Sequence, residues 1–421
     1  MDVFAERCAG LDVHQAQVTV CVLLGEAGKR VRKERRVFAT FSRDLLQLAE
    51  WLLSLGVSHV AMESTGVYWK PVYGVLEGVG GLQLTVGNAQ HIKNVPGRKT
   101  DMLDAEWLAN WQRHGLIRPS FVPPPAVRRL RDLVRYRTSL VQERTAQKNR
   151  LQKLLETANV KLASVVSDVF GMTGLAMVRA LAAGHTDVGA LCELAQGNLR
   201  AKKAQLARAL DCRLEAHQRW LLGLQLQALD QTDERLAQLE AEIERQLQPY
   251  RVQLQRLCTI PGVKAHAAAS LLAEMGADMR PFATSAHLAA WAGVCPGNNE
   301  SAGKRGRQPT RKGNPHLRCT LIEAASAAVR TRGTYYRDKY YRLGARMPRN
   351  KAKLAIAHKI AVAAYHLLKH GQSFQELGPA YLDGLHSQRT TRTLVRRLEA
   401  LGHQVQLLPA APAPLAAPMP S

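Results

Sequence analysis

No two cysteines in this chain are spaced C-x-x-C; the seven lie singly at positions 8, 21, 192, 212, 258, 295 and 319. Zinc ribbons and disulfide scaffolds are thereby excluded, and a reducing cytoplasm is the expected compartment. No apolar run approaches the roughly 18 residues of a spanning helix, and MDVFAERCAG at the start lacks a signal-peptide apolar block. A membrane is therefore not an expected partner. There is no G-x-S-x-G elbow, and the nearest thing to a phosphate loop, GNNESAGKR from Gly297, has one residue too many between its glycines. His366 and His370, four apart on an expected helix, have no acidic or Cys companion and read as surface histidines. Acids are scarce: 34 Asp+Glu stand against 58 Lys+Arg, a net charge of +24. Such an excess attracts polyanions, and with membranes set aside these are nucleic acids.

What is present is enough to fold. Apolar residues make up 46% of 421, which suits two or three domains with sizeable cores. Val18, Val20 and Val22 alternate as in a half-buried strand, and a shorter strand ends before them at Asp12. Lys33 to Thr40, Val57 to Met62 and Leu82 to Val86 are further strand candidates. Ser42 and Thr100 are placed to cap helices, the second bearing Leu103, Trp107, Leu108 and Trp111. Together these predict a mixed sheet covered by helices over residues 1–122. Pro123-Pro124-Pro125 ends that domain. A long helix follows to about Ala158, apolar on one face and basic on the other through Arg128, Arg131, Arg135 and Lys148. Residues 160–220 read as small helices with turns at Gly171, Gly174 and Gly184. Leu229, Leu236, Ile243 and Tyr250 recur every seven residues, as in a short coiled coil or a packed bundle helix. The connector thus spans 123–255, and a second helical domain spans 256–372, opening with the Pro-Gly turn of TIPGVKAHAAASLLAEM. An extension, 373–421, ends in a Pro/Ala tail that reads as disordered.

Two groups of residues suit chemistry. Asp12 and Glu63 stand at strand ends, and Asp101 and Asp104 lie three apart on one helix. Hard oxygen donors converging in a protein that attracts phosphodiesters suit Mg²⁺. The same acids also suit a strand end, a turn and a helix N-terminus without any metal. The second group is Ser301, in a polar loop with Lys304, Arg305, Lys312 and Arg318. A serine there has cations to stabilise charge developing on a phosphate, or is an ordinary loop serine.

GLDVH, AMESTGVYWKPVY and GRKTDMLDAEWLA around the acids resemble one family, as do TIPGVKAHAAASLLAEMG, LAAWAGVCPGNNESAGKRG and TRKGNPHLRCTLIEAA. The chain resembles the bacterial insertion-sequence transposases with a RuvC-like DEDD domain and a C-terminal serine domain, a family that includes the Piv invertases. The resemblance runs from about residue 7 to residue 372. It implies an α/β RNase H-like sheet, a coiled-coil connector and a helical serine domain. It further implies Mg²⁺ held by Asp12, Glu63, Asp101 and Asp104, and Ser301 as a nucleophile that forms a phosphoserine with DNA. Donor and target DNA, a guiding bridge RNA and a dimeric or tetrameric homo-oligomer are the implied partners. Compact members follow the serine directly with Gly where this chain has Ala302, and they lack a counterpart of residues 160–220. The competing expectations are a Piv-type invertase, a RuvC-like nuclease with Ser301 as bystander, and a silent RNA- or DNA-binding remnant.

Overall fold

β-branched and apolar residues in alternation make the first three strands, β1 (Arg7–Val13), β2 (Gln17–Leu24) and β3 (Arg32–Ala39), an antiparallel meander. The computed structural model describes residues 3–26, 28–64, 66–88, 101–297, 300–301, 304–305, 310, 312–385 and 387–408; for 101–103, 300, 301, 304, 305 and 389 it describes the backbone alone. It divides into two units, Met1–Val122 and Pro123–Ser421.

In the first unit the chain continues through α1 (Ser42–Ser54), β4 (His59–Glu63), α2 (Trp69–Val79), β5 (Gln83–Gly87) and α3 (Asp101–Arg113). β4 and β5 run parallel to β1, giving the RNase H-like order β3-β2-β1-β4-β5. Val18, Val20 and Val22 pack on Leu45, Leu48 and Leu52 of α1 and on Leu76 of α2. β2 is not half-buried, as its alternation predicts. Cys21 and Leu23 on its other face are covered too, with Ala105 and Ala109 of α3 in the same cluster, so helices close both sides of the sheet. Ser42 is likewise not the cap of α1. It is the first helical residue, and Phe41 precedes it with no side-chain bond to the helix.

The second unit opens with α4 (Pro125–Thr157), where proline suits the first turn because its missing N–H has no partner to lose there. Next come α5 (Met172–Ala182), α6 (Val188–Glu193), α7 (Lys203–Leu210) and the long α8 (Ala216–Leu247). α8 runs back along α4, with ion pairs Arg137–Glu240 and Arg144–Asp233 and a buried bond from Gln147 to Thr232. The heptad stripe ends with the helix: Leu229, Leu236 and Ile243 are buried, whereas Tyr250 lies beyond, in a 3₁₀ turn. Residues 151–229 form a small core where α4 and α8 meet α5, α6 and α7. Gly174 is inside α5 and not a turn; a Cβ there would stand under 3.0 Å from the backbone of Val169, which only glycine avoids.

Thereafter come α9 (Arg251–Cys258), α10 (Ala265–Met275), α11 (Ser285–Trp291), a minimal hairpin of β6 (Glu300–Ser301) and β7 (Lys304–Arg305), and α12 (Pro315–Ala328). α13 (Tyr335–Gly344), α14 (Arg349–His370), α15 (Tyr381–Leu385) and α16 (Ser387–Ala400) complete the chain. Thr100 and most of the Pro/Ala tail lie outside the described residues. No helix among those described is long and apolar enough to cross a membrane.

Candidate active site

Strand register places the first acids. Cys8, Gly10 and Asp12 share one face of β1, because successive residues of a strand alternate. Parallel pairing sets Cys8 beside His59 and Gly10 beside Ala61, so Glu63 follows on β4 as Asp12 does on β1. Both carboxylates thus stand at the C-terminal ends of the two central strands, on the face that α3 covers. Gly10 lets α3 come that close. A Cβ on it would stand under 3.0 Å from the carbonyl of Ala105 and the amide of Ala109. Asp104, one residue before Ala105, is therefore carried by the helix turn packed on β1, with its side chain half-buried. Asp101 begins the same helix, and its side chain lies outside the described residues.

Asp12 is bonded to Nε2 of His14 at 3.1 Å, and its side chain is 18% exposed. Glu106, further along α3, binds both Lys33 and Arg35 of β3, which ties the helix to the far side of the meander. The Lys33 hydrogen bond, with the charges of Lys33 and Arg35, holds the Glu106 carboxyl below the usual range against its partial burial. Sequence reading singled out neither Gly10 nor Glu106. The Cys8 thiol, bonded to the Ala109 carbonyl, is pushed up to about 12 by burial and is no nucleophile at neutral pH. Among the described residues no three His, Cys, Asp or Glu side chains already gather around one point. The donor set of Asp12, Glu63 and Asp104 is nonetheless all oxygen and borne on rigid elements, which fits a hard divalent cation.

In the second unit Ser301 lies on β6, its backbone opposite Lys304 of β7; both side chains, and that of Arg305, lie outside the described residues. Lys312 is exposed and Arg318 half-buried. The loop is closed at its base. Pro296 bridges to Thr310, the Asn314 amide donates to the Trp291 carbonyl at 2.9 Å, and Gly313 presses on the backbone of Trp291 and Gly293 too closely for any Cβ.

Asn314 is held by a group that sequence reading missed, the 2%-exposed carboxylate of Glu274 at the end of α10. Its Oε2 accepts from Asn314 Nδ2 at 2.6 Å, and Arg135 of α4 grips both oxygens at 2.7 and 2.8 Å. Arg131 donates to the backbone carbonyls of Ala273 and Glu274 at 3.1 and 2.6 Å, while the Asn314 carbonyl oxygen accepts from the amides of His316 and Leu317, capping α12. Burial pushes the Glu274 carboxyl up, but the Arg135 bond, the two arginine charges and Asn314 outweigh it and hold it below the usual range. Burial lowers Arg131 to about 10, against the pull of Glu274, so it stays charged at neutral pH.

The cationic face expected of α4 is narrower for this reason. Arg131 and Arg135 are engaged with Glu274 inside the fold, Arg128 donates to the Pro123 carbonyl, and Lys148 stands over the Phe170 ring at 5.4 Å. Arg129, Arg150 and Lys153 are the exposed cations of the helix.

A family model described as "Transposase", of the DEDD IS110 type, matches residues 9–160, and one described as "Transposase IS116/IS110/IS902 family" matches residues 254–342. The "Probable family 20 transposase" of Pseudomonas aeruginosa is 27% identical over 282 residues, 65% of this chain and 73% of that protein. The "Transposase for insertion sequence element IS1111A" of Coxiella burnetii is 26% identical over 338 residues, 78% of this chain and 82% of its own length. Among solved structures, Thermus thermophilus RuvC aligns with 13% identity and a TM-score of 0.22, covering 27% of this chain and 99% of RuvC.

Proposed function

Because this chain belongs to the IS110-family transposases, we propose that it cuts and rejoins DNA through a covalent phosphoserine formed at Ser301. The observation that carries the reading is the placement of two groups. Asp12 and Glu63 stand at neighbouring strand ends of an RNase H-like sheet with Asp104 on the helix that covers that face, and Ser301 lies in a separately braced loop rich in Lys and Arg.

In this reading the serine oxygen bonds to a DNA phosphorus, and the displaced DNA oxygen leaves with a proton. A DNA hydroxyl attacking the phosphoserine reverses the step, so strands are exchanged without a nucleotide triphosphate. Lys304, Arg305, Lys312 and Arg318 neutralise the phosphate under attack. Asp12, Glu63, Asp101 and Asp104 would hold Mg²⁺, which when bound supplies positive charge against phosphodiester oxygens. A guide RNA rests along the outward cations of the α4 face, and the protein works in the cytoplasm as a homo-oligomer, a dimer or tetramer whose copies share sites.

The test incubates labelled donor and target DNA with protein, RNA and Mg²⁺, followed by denaturing electrophoresis. Ser301→Ala is expected to abolish both strand exchange and the protein–DNA adduct. Asp12→Asn, which changes charge with little change of volume, is expected to abolish exchange while circular dichroism stays native. Mixing the two variants should restore some exchange if copies share sites. Free cut ends from Ser301→Ala at near wild-type yield would instead establish a metal-dependent nuclease, since the variant then loses no more than a hydrogen bond of about 1 kcal/mol.

A further inference from the structure

A long run of positive charge lies where no motif directed attention. From Arg330 to Lys353 there are nine Lys and Arg and one acid, Asp338. That acid is already used: Arg342 pairs with it at 2.8 Å and with Asp383 at 2.6 Å. Arg346, Arg349 and Lys351 are exposed around the turn from α13 to α14 and pair with no carboxylate among the described residues. Unpaired like charges so close repel one another, an arrangement that suits a polyanion laid across them.

Aromatic rings stand beside these cations. Tyr340 and Tyr341 meet edge to face at 5.4 Å, and the Arg337 guanidinium lies 5.5 Å from the centre of the Tyr341 ring. Tyr341 nevertheless remains 58% exposed, an apolar ring held in place and left in water. A duplex would engage the cations but not the ring, because paired bases keep their faces stacked on each other. An unpaired base has a free face to offer, and stacking on tyrosine tolerates any sequence.

We propose that the α13–α14 surface binds a single-stranded stretch of nucleic acid, with phosphates along Arg346, Arg349 and Lys351 and a base against Tyr341. These three cations lie beyond the matched segment that ends at residue 342. The proposal rests on the transposase reading only in supposing that opened strands pass through the protein; it needs nothing of Ser301.

The experiment measures fluorescence anisotropy of labelled 12-mers, single-stranded DNA, single-stranded RNA and duplex DNA, against full-length protein over a salt series. The triple variant Arg346→Gln, Arg349→Gln, Lys351→Gln should lower the slope of log affinity against log salt by about 2 on a single strand. A triple variant of exposed cations elsewhere, Arg208→Gln, Arg213→Gln, Arg235→Gln, should leave that slope unchanged. Tyr341→Ala should weaken single-strand binding about tenfold and leave duplex binding alone. Losses in the DNA arm, the RNA arm or both name the strand bound. An unchanged slope in the first triple variant, or equal loss on duplex and single strand for Tyr341→Ala, overturns the proposal. A changed oligomeric state with binding intact would also overturn it, assigning the surface to protein contacts. Strand exchange and adduct formation by the wild-type protein, read by denaturing electrophoresis, report on the phosphoserine reading alone, so its failure shows separately from a failure of this one.

Discussion

In the sheet unit Asp12 and Glu63 owe their positions to backbone register, and α3 reaches them because Gly10 has no side chain. In the helical unit the base of the Ser301 loop owes its position to a buried carboxylate that collects two arginines and an asparagine from α4 and the loop. The first arrangement turns on the absence of volume at Gly10. The second turns in addition on charge, since a buried ionic cluster depends on every partner being present.

The largest expected effect is therefore Glu274→Ala. Removing the carboxylate leaves Arg131 and Arg135 without their partner in the interior, at a cost of about 3–5 kcal/mol. Hydrogen exchange should show protection lost in α10 and α12 while β1 and β4 keep theirs. The same carboxylate predicts an acid response. Its folded pKa lies below the ordinary value, so its contribution is complete above about pH 4.3 and fades as pH falls through the lowered value. Glu274→Gln should remove that part of the acid transition followed by near-UV circular dichroism.

Gly10→Ala comes next. The new methyl meets backbone atoms of Ala105 and Ala109 that have no flexible end to yield, so about 1–3 kcal/mol or more of stability should be lost. Exchange protection should then fall in α3 and β1 with α12 untouched, the mirror image of the first variant. Equal loss in both units for either substitution would break the contrast.

How far this was legible in the sequence differs between the units. Strands with alternating valines and helices with apolar stripes announce themselves, because local periodicity reports local geometry. The burial of both faces of β2 was not visible, since it depends on α3 arriving from some eighty residues away. Glu274 was hidden for a related reason: a glutamate ending an Ala/Leu helix reads as solvent-facing, and only the arrival of α4 encloses it. Conversely, Arg131 and Arg135 read as phosphate ligands because their helix face is basic, and sequence alone does not reveal that the face bends inward onto an acid. The polar loop around Ser301 is legible as a loop, and its bracing by Gly313 and Asn314 is not.

The smallest effect sharpens the comparison from within the helical unit. Gln147 and Thr232 form a buried polar contact in the seam of α4 and α8, and the Gln147 Oε1 has no hydrogen-bond partner there. Replacing both, Gln147→Leu with Thr232→Val, removes a matched pair and should change stability by within about 1 kcal/mol in urea melts. A loss as large as that of Glu274→Ala would mean that any buried polar contact in this unit is as costly to remove.

α4 has 33 residues, which at about 1.5 Å each makes a rod of roughly 50 Å, stiffened by α8 lying against it. It is clamped near one end through Arg131 and Arg135 and bears the small core of residues 151–229 at the other. That is the form of a lever. A tilt of about 10° at the clamp would swing the far end, about 36 Å away, by about 6 Å, nearly two steps of ~3.4 Å along a nucleic-acid strand. A one-ångström shift across the Arg131–Arg135 clamp would thus appear as a several-fold larger sweep at the tip.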